Sequence, residues 1–458
     1  MAVQKSNVSK PTKIEGTAPQ VVNAIRNASP ILTASTPVPM AGDDKSLARF
    51  MAPIMQQVSL KNEFFNQLFN RIGLTNLMYR TYQNDLRELK QGIIDYGAFV
   101  QEVSGGFVHA EPYDIEGSVT KVFNLYPPDI RATIHPINYQ VVYSYTIPQM
   151  LIQRAVVSWD GMGDLIDFAG SCELKTLNYD EYQIMMYTVA RRILDGSIYP
   201  VEGAAISKEN AEDITTALRY VSNEFTFLRT QYNVDGVPQS VPRDEQFVLL
   251  SSKFDAYQSV SVLAAAFNMD EAIFLGHRIL ISSFGDIDNN RLSMIIKDYQ
   301  PIDETDLQAL GAIPAVVMGR NWFQVYDAPY SDGNITNPMG AYFNHHFVSN
   351  KIVDSSPYEN AVVITAAEPT VTSVTISPDA PSVTKGTTQQ FTAEVVTTNF
   401  APKGVTWSIT GQAVDGTTID QTGLLTVAAN ETASSITVTA TSVFDTTKKD
   451  TATVTVPA

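Results

Sequence analysis

Histidine is the first residue type to test for chemistry, because neutral imidazole binds metals and titrates near neutral pH. The chain has five: His109, His135, His277, His345 and His346. No two are spaced i, i+4 as in a helical zinc pair, and a single cysteine excludes a zinc knuckle. Adjacent His345 and His346 in a strand would point to opposite faces. We therefore predict structural histidines and no metal site.

The acidic run Asp286, Asp288 and Asn290 resembles the start of a calcium-binding loop. Such a loop needs glycine at its sixth position and a bidentate glutamate at its twelfth. This chain has Arg291 and Lys297 there. The pattern therefore favours a solvated turn.

Signals for phosphate binding and nucleophilic catalysis are also missing. The glycines between residues 161 and 170 do not form a dinucleotide fingerprint, and no phosphate-binding loop or Gly-x-Ser-x-Gly elbow is present. Cys172 fits a small buried apolar residue better than a nucleophile. Paired carboxylates such as Asp303 and Glu304 occur in most acidic proteins and do not define a site. We predict no catalytic, cofactor-binding or metal-binding residues, no cofactor, and no enzymatic activity.

The charge balance argues against a nucleic-acid-binding protein. The chain has 31 Lys and Arg against 48 Asp and Glu, a net charge of −17. Binding to phosphates requires a cationic surplus, so neither non-specific nor sequence-specific binding is expected. A container for DNA remains compatible, because an acidic lining keeps packed DNA from adhering.

The chain should also fold without disulfides or a membrane. One cysteine among 458 residues allows no intrachain disulfide, which favours folding in the cytoplasm. The first 30 residues contain no apolar run typical of a signal peptide, and no stretch approaches the roughly 20 apolar residues that span a bilayer. We expect neither a cleaved export signal nor membrane insertion.

The elements that would have to position any site fall into two parts that meet near Ala367. After the short polar link at 366–370, about 90 residues are rich in Thr and Val, and their apolar side chains alternate with period two. Examples are VTWSI at 405–409 and SITVTATS at 435–442. Six or seven short strands without a helical pattern predict a β-sandwich over 370–458.

The larger part, residues 1–366, contains both helical and strand patterns, which predicts a mixed α and β structure. Residues 1–45 are polar and predict an extended arm with one short helix at 21–27. From about 85 to 147 the pattern predicts strands around a Gly105-Gly106 turn. This stretch is too polar to bury both faces, so it must lie against something else.

The best single helix is predicted at 179–194. Asn178 would cap it, Asp180 and Glu181 would lie in its first turn, and Asp195-Gly196 would end it. Its apolar stripe includes Met186, Val189 and Ile193. Further helices are predicted at about 56–70, 207–222 and 257–267, and strands at 245–251, 314–318 and 322–326.

Seven segments, in order along the chain, give the body a specific resemblance. They are VVNAIRN at 21–27, NRIGL at 70–74, VVSW at 156–159, LAAAFNMDEAIFLG at 263–276, NWFQVYDAP at 321–329, NPMGAYFNHHF at 337–347 and YENAVVI at 358–364. Together they resemble the major capsid proteins of small short-tailed phages of the phi-29 type. The tail resembles a bacterial immunoglobulin-like domain of group two, on the pattern of Pro378, Gly386, Phe391, Trp407, Gly423 and Thr-Ala-Thr at 439–441.

The resemblance implies an α+β fold of the Hong Kong 97 (HK97-like) capsid type, followed by an immunoglobulin-like sandwich. It divides the chain into an N-terminal arm at 1–45 and a capsid domain at 46–366. Within the capsid domain it implies an extended loop at about 85–147, a spine helix at about 179–194 and an axial domain at about 225–345. The extended loop departs most from the family's sequences, and no residues here predict covalent cross-links between subunits.

The implied function is a structural subunit that self-assembles into the icosahedral or prolate head of a tailed phage around double-stranded DNA. Implied partners are other copies in pentamers and hexamers, a scaffolding protein, the portal and head fibres. Its location would be the virion capsid, assembled in the bacterial cytoplasm. The alternative is a cell-surface adhesin or receptor-binding fibre, because adhesins also carry such sandwiches. A phage glycan hydrolase would need a carboxylate-lined cleft, which the sequence does not indicate.

Overall fold

The computed structural model describes residues 18–74, 83–95, 97, 99–111, 125–148, 150, 154, 157–261, 277–337 and 342–457. Within these ranges the helices are α1 (Ala18–Ala28), α2 (Pro30–Ser35), α3 (Asp44–Gln56), α4 (Val58–Leu74), α5 (Trp159–Leu194), α6 (Ala211–Phe225), α7 (Ser252–Ser261), α8 (Asn289–Ile295) and α9 (Glu304–Gly311). No helix in the described part of the chain is both long and apolar enough to cross a bilayer.

Residues 18–28, 30–35 and 44–45 are helical, which corrects the prediction of an extended arm for the described part of 1–45. The described part of that segment, from Ala18 onward, forms α1 and α2 and begins α3, while residues 1–17 lie outside the described residues. The short helix predicted at 21–27 is confirmed within α1. The helices form because Val22, Ile25 and Leu32 are fully buried in a core shared with α3, α4 and the start of α5. A small number of apolar residues at helical spacing is therefore enough to bury one face of each of these short helices.

The long helix α5 extends the predicted spine helix by twenty residues. It ends at Leu194 as predicted but begins at Trp159, where Ser158 rather than Asn178 accepts the capping hydrogen bond. Its 36 residues span about 54 Å at the helical rise. Asp180 and Glu181, interpreted as first-turn residues, instead lie inside the helix, where they are buried against cations from other elements.

The described residues of the body form two sheets and a hairpin. Its strands are β1 (Gly92–Ile93), β2 (Val100–Gly105), β3 (Ile130–His135), β4 (Tyr139–Pro148), β5 (Tyr199–Glu202), β6 (Gln246–Ser251), β7 (His277–Ile281), β8 (Ala315–Gly319), β9 (Phe323–Asn337), β10 (Tyr342–Ser355) and β11 (Ala361–Thr365). One sheet has the order β1-β9-β10-β4, the other β5-β11-β8-β6-β7, and β2 pairs with β3 alone. The largest core lies where α5 packs with these sheets.

Most of the other predicted elements of the body are present, with shifted ends. The strands predicted at 245–251 and 314–318 correspond to β6 and β8, and the strand predicted at 322–326 is the first third of β9. The helix predicted at 207–222 is α6. The helix predicted at 257–267 is present as α7 up to Ser261, and residues 262–267 lie outside the described residues.

The C-terminal part is a β-sandwich, as predicted. Its eight strands are β12 (Thr370–Ser377), β13 (Thr388–Gln390), β14 (Thr392–Thr398), β15 (Val405–Thr410), β16 (Thr418–Ile419), β17 (Leu424–Thr426), β18 (Ser435–Ser442) and β19 (Lys449–Thr455). Phe391, Trp407, Leu425 and Val438 are all buried in one core.

The sandwich packs directly on the body. Phe400, in the loop between β14 and β15, packs against the main core, and the ring of Phe444 lies 5.8 Å from that of Tyr199. Gly196 adopts φ +77°, and a Cβ there would lie 2.7 Å from Cα of Pro402. The short link is also tied down, since Asn399 Nδ2 donates to the carbonyl of Glu368. The link therefore joins two parts in contact.

Candidate functional site

The β2–β3 hairpin exposes apolar side chains to solvent and directs polar side chains to the body, which is the reverse of the usual arrangement for a strand pair on a protein surface. Val103 pairs with Ala132 and Gln101 with Ile134, so these residues share one face. That face is directed to solvent although it is apolar: Val103, Ile130 and Ile134 are 62 %, 64 % and 57 % exposed. Other exposed apolar side chains flank the hairpin: Phe99, Phe107, Val108 and Leu125. We call these seven apolar residues the outer face.

The opposite face of the hairpin, directed to the body, is polar. Thr133 Oγ1 lies 2.8 Å from the hydroxyl of Tyr358, and an Arg131 guanidinium nitrogen donates to the carbonyl of Asp235. His135 bonds to Glu102 and Asp354. Alternation along a strand sends successive side chains to opposite faces, so the polar contacts to the body leave the apolar side chains outside.

A buried charge cluster fixes the chain just before the hairpin. Lys90 Nζ lies 2.9 Å from a carboxylate oxygen of Glu181 and 2.6 Å from one of Asp327. Lys351 Nζ contacts the same two carboxylates. Asn84 Nδ2 donates to Glu181 at 2.8 Å. Burial alone would raise the pKa values of both acids, but the two lysines hold them below their usual range. The cluster thus joins α5, β9 and β10 to the root of the hairpin.

A second buried ion pair lies one residue earlier on α5. Asp180 is fully buried and accepts two hydrogen bonds of 2.8 Å from the guanidinium of Arg291 in α8. It also accepts a bond of 2.9 Å from the hydroxyl of Tyr143 on β4. Bidentate Arg–carboxylate geometry is directional as well as strong. Together the two sites connect the middle of the long helix to three strands of one sheet, β4, β9 and β10, and to α8.

The five histidines lie in separate surroundings. His109 bonds to Glu111, and His277 stacks on Phe247 at 4.9 Å. His345 is buried beside the ring of Tyr145, while His346 bonds to Ser144 on the other face of the sheet. The prediction that the adjacent pair points to opposite faces is confirmed. Within the described ranges no group of His, Cys, Asp and Glu could hold a metal ion.

The acidic motifs act as helix caps. Asp288 Oδ1 accepts from the backbone N–H of Arg291 and begins α8, and Asp303 accepts from that of Asp306 and begins α9. The calcium-like run is therefore explained by an N-cap, which is the ordinary use of such residues. Cys172 lies within α5, and its side chain lies outside the described residues.

Sequence reasoning missed the residues that organise the hairpin. Lys90, Asp327 and Lys351 are far apart in sequence and show no spacing pattern, so nothing local pairs them. The adjacent acids Asp180 and Glu181 were noticed, but their fit to a helix N-terminus concealed their place inside a longer helix. The available signal was the long uninterrupted segment between Ser158 and Asp195.

Two family models of known proteins match successive parts of the chain. A family model for the Phi29-like phage major capsid protein matches residues 22–365, and one for the bacterial Ig-like domain, group 2, matches 370–454. The chain is 29 % identical over 418 residues to the major capsid protein of Bacillus phage B103, covering 90 % of this chain and 87 % of that one. It is 28 % identical over 416 residues to that of Bacillus phage PZA, with the same coverage.

Chains of solved phage structures also align with part of this chain. A chain from the structure of head fiber and inner core protein gp22 of native bacteriophage P68 aligns with a TM-score of 0.49, at 12 % identity, over 64 % of this chain and 87 % of its own. A chain from the capsid structure of Staphylococcus phage Andhra aligns with a TM-score of 0.48, at 15 % identity, with the same coverage.

The α+β body and the all-β sandwich agree with the predicted fold class, an HK97-like capsid fold followed by an immunoglobulin-like domain. The family model covers about three-quarters of the chain and includes the hairpin and both buried charge sites. The chain therefore belongs to the family of Phi29-like phage major capsid proteins.

Proposed function

We propose that this capsid subunit assembles into pentamers and hexamers of a closed head by placing the outer face of the β2–β3 hairpin against a neighbouring copy. The observation that carries the proposal is the inverted hairpin, with polar contacts to its own body and apolar side chains in water. Exposed apolar patches rimmed by polar groups mark interaction sites. A shell of identical subunits supplies the same acceptor surface to every copy.

The buried anchors support this role. A hairpin that contacts a neighbour must leave its own body at a defined angle, because closed shells require repeated contacts with one geometry. Lys90, Glu181 and Asp327 tie the chain before the hairpin, and His135 ties its return strand. The match to phage major capsid proteins supports a structural role for the chain.

The remaining partners and the place of assembly are part of the same proposal, which family membership supports. Assembly uses a scaffolding protein in the bacterial cytoplasm, the portal occupies one vertex, and head fibres attach outside. Within the subunit we propose the divisions named above: an N-terminal arm, which contains helices from Ala18 onward, an extended loop, a spine helix and an axial domain.

We also propose that the sandwich faces the exterior, because Thr370, Thr375 and Thr392 give its exposed strand faces a hydroxyl-rich surface suited to water. The adhesin alternative has support only from the sandwich.

The test changes the outer face alone. Val103→Asp and Ile134→Asp should leave a folded, soluble subunit, because both side chains are already exposed. Each variant and the unchanged chain are expressed with the scaffolding protein and imaged by negative-stain electron microscopy. We expect closed shells from the unchanged chain and few or none from the variants.

The matched control is Val396→Asp, which alters an exposed valine on the sandwich and should still assemble. Normal shells from Val103→Asp and Ile134→Asp would refute the assignment of the outer face. Loss of shells in all three variants would point to a general intolerance of added charge instead.

A further inference from the structure

His135 closes the return strand of the hairpin and is buried there. Only 1 % of its surface is exposed. Its Nδ1 lies 2.9 Å from Asp354 Oδ2 on β10, and its Nε2 lies 3.0 Å from Glu102 Oε2 on β2. One ring therefore connects the two strands of the hairpin to the central sheet of the body.

The geometry determines the protonation state of this ring. A neutral imidazole has one N–H donor and one bare nitrogen, whereas the imidazolium donates from both nitrogens. Here both nitrogens face a carboxylate oxygen, so a neutral ring would direct a lone pair at a negative charge. The hydrogen bonds to Asp354 and Glu102 accordingly raise the pKa of His135 to about 9.

Carboxylates outnumber the cations around the ring, and protonated His135 is one of the cations that offset them. Asp354 also accepts from Arg192 of α5 at 3.1 Å, and Glu102 accepts from Gln324 of β9 at 2.7 Å. Beyond them lie Asp195, which pairs with Arg192, and Arg131, whose nearest carboxylate is Asp129. The pKa of Glu359 is raised, first by the burial of this side chain and second by the nearby negative charge of Glu102. Loss of the His135 proton would thus increase the excess of carboxylates and remove the positive charge that lies between Asp354 and Glu102.

We propose that protonated His135 is the positioning residue that fixes the root of the hairpin to the body, so that deprotonation releases the hairpin. The role of His135 in the subunit is independent of the proposed function; only its consequence for assembly, the orientation of the outer face toward a neighbouring copy, rests on that function. A group whose pKa is raised on folding stabilises the folded arrangement fully below its ordinary pKa of about 6.5. That contribution is lost as pH rises through about 9.

The test measures the hairpin in the unassembled full-length subunit. Millisecond-pulse hydrogen exchange between pH 7 and 10.5, with each rate divided by its intrinsic rate, reports opening of residues 100–105 and 130–135. We expect opening in the unchanged chain to increase at least tenfold across pH 9. In His135→Gln it should be high at every pH, with no step.

Two further variants make the test specific. Glu102→Gln removes one carboxylate from His135, so the step should move to lower pH while the neutral-pH fold is kept. His109→Gln alters a half-exposed histidine near the hairpin and should keep the step of the unchanged chain. Exchange of α5 and the thermal unfolding temperature monitor global folding.

The outcomes separate this inference from the proposed function. A flat pH profile in the unchanged chain, or a step in His135→Gln, would overturn the role of His135. A loosened hairpin in His135→Gln together with normal shells at pH 7.5 would keep the positioning role and reject the hairpin as the assembly surface.

Discussion

Glu181→Gln should destabilise the subunit more than any neutralisation of a surface acid. The substitution keeps the shape of the side chain but leaves the ammonium groups of Lys90 and Lys351 facing the single carboxylate of Asp327. Glu181 is buried and accepts from three donors, one amide and two ammonium groups. Removing one partner from a buried ion pair costs about 3–5 kcal/mol. Since Asp327 still compensates part of the charge, we expect the lower end, about 3 kcal/mol.

Thermal unfolding of the full-length subunit, followed by circular dichroism, measures this effect. With an unfolding entropy typical of a body that spans residues 22–365, about 3 kcal/mol corresponds to a decrease of about 4 °C. Glu209→Gln is the control, because Glu209 lies exposed in a loop, and it should change stability by less than about 0.5 kcal/mol. An unchanged unfolding temperature in Glu181→Gln would mean that water already screens the cluster and that it does not hold the hairpin root.

Three further predictions concern the sandwich and the charge balance. Phe400→Ala should free the sandwich from the body, so that limited proteolysis cuts the link at 366–369 at least tenfold faster, while the sandwich fragment stays intact. Hydrogen bonds from Thr417 and three backbone N–H groups lower the pKa of Glu431 to about 2. Glu431→Gln should therefore unfold several degrees lower than the unchanged sandwich at pH 7, and the difference should vanish as pH falls from about 4.5 through 2, which thermal scans at each pH would reveal. Isolated subunits should show no gel shift with double-stranded DNA at physiological salt, and tight binding with a steep salt dependence would contradict the reading of the net charge of −17.

Local patterns were sufficient for the elements that carry their own periodicity. The sandwich was predictable because alternation in runs such as 435–442 depends only on which face of a strand is buried. The buried strands β6 and β8 were recognisable as short apolar runs between turn signals, and the end of α5 by Asp195-Gly196.

Patterns failed where residues distant in sequence decide the outcome. The start of α5 was placed at Asn178 because Asp180 and Glu181 suit a helix N-terminus, but their partners Arg291 and Lys351 come from other elements and stabilise them inside the helix. Helices α2 and α3 were missed because the core that they share with α1 and α4 is completed by Trp159, more than a hundred residues later. The outer face was missed because apolar residues separated by single polar ones looked too sparse to matter.

The way the sandwich sits on the body has a practical consequence for displaying foreign peptides. Phe400, Pro402 and Phe444 lie at the end that contacts the body, and β15 runs from there to the opposite end. The loop after β15 therefore emerges at the end remote from that contact, with Asp415 and Gly416 exposed. With the sandwich facing the exterior as proposed, an epitope inserted between those two residues would be carried away from the body, and the contacts of Phe400 and Phe444 with the body would restrict its orientation. A shell of identical subunits would present the epitope at regular spacing, which is the arrangement wanted in particle-based vaccines.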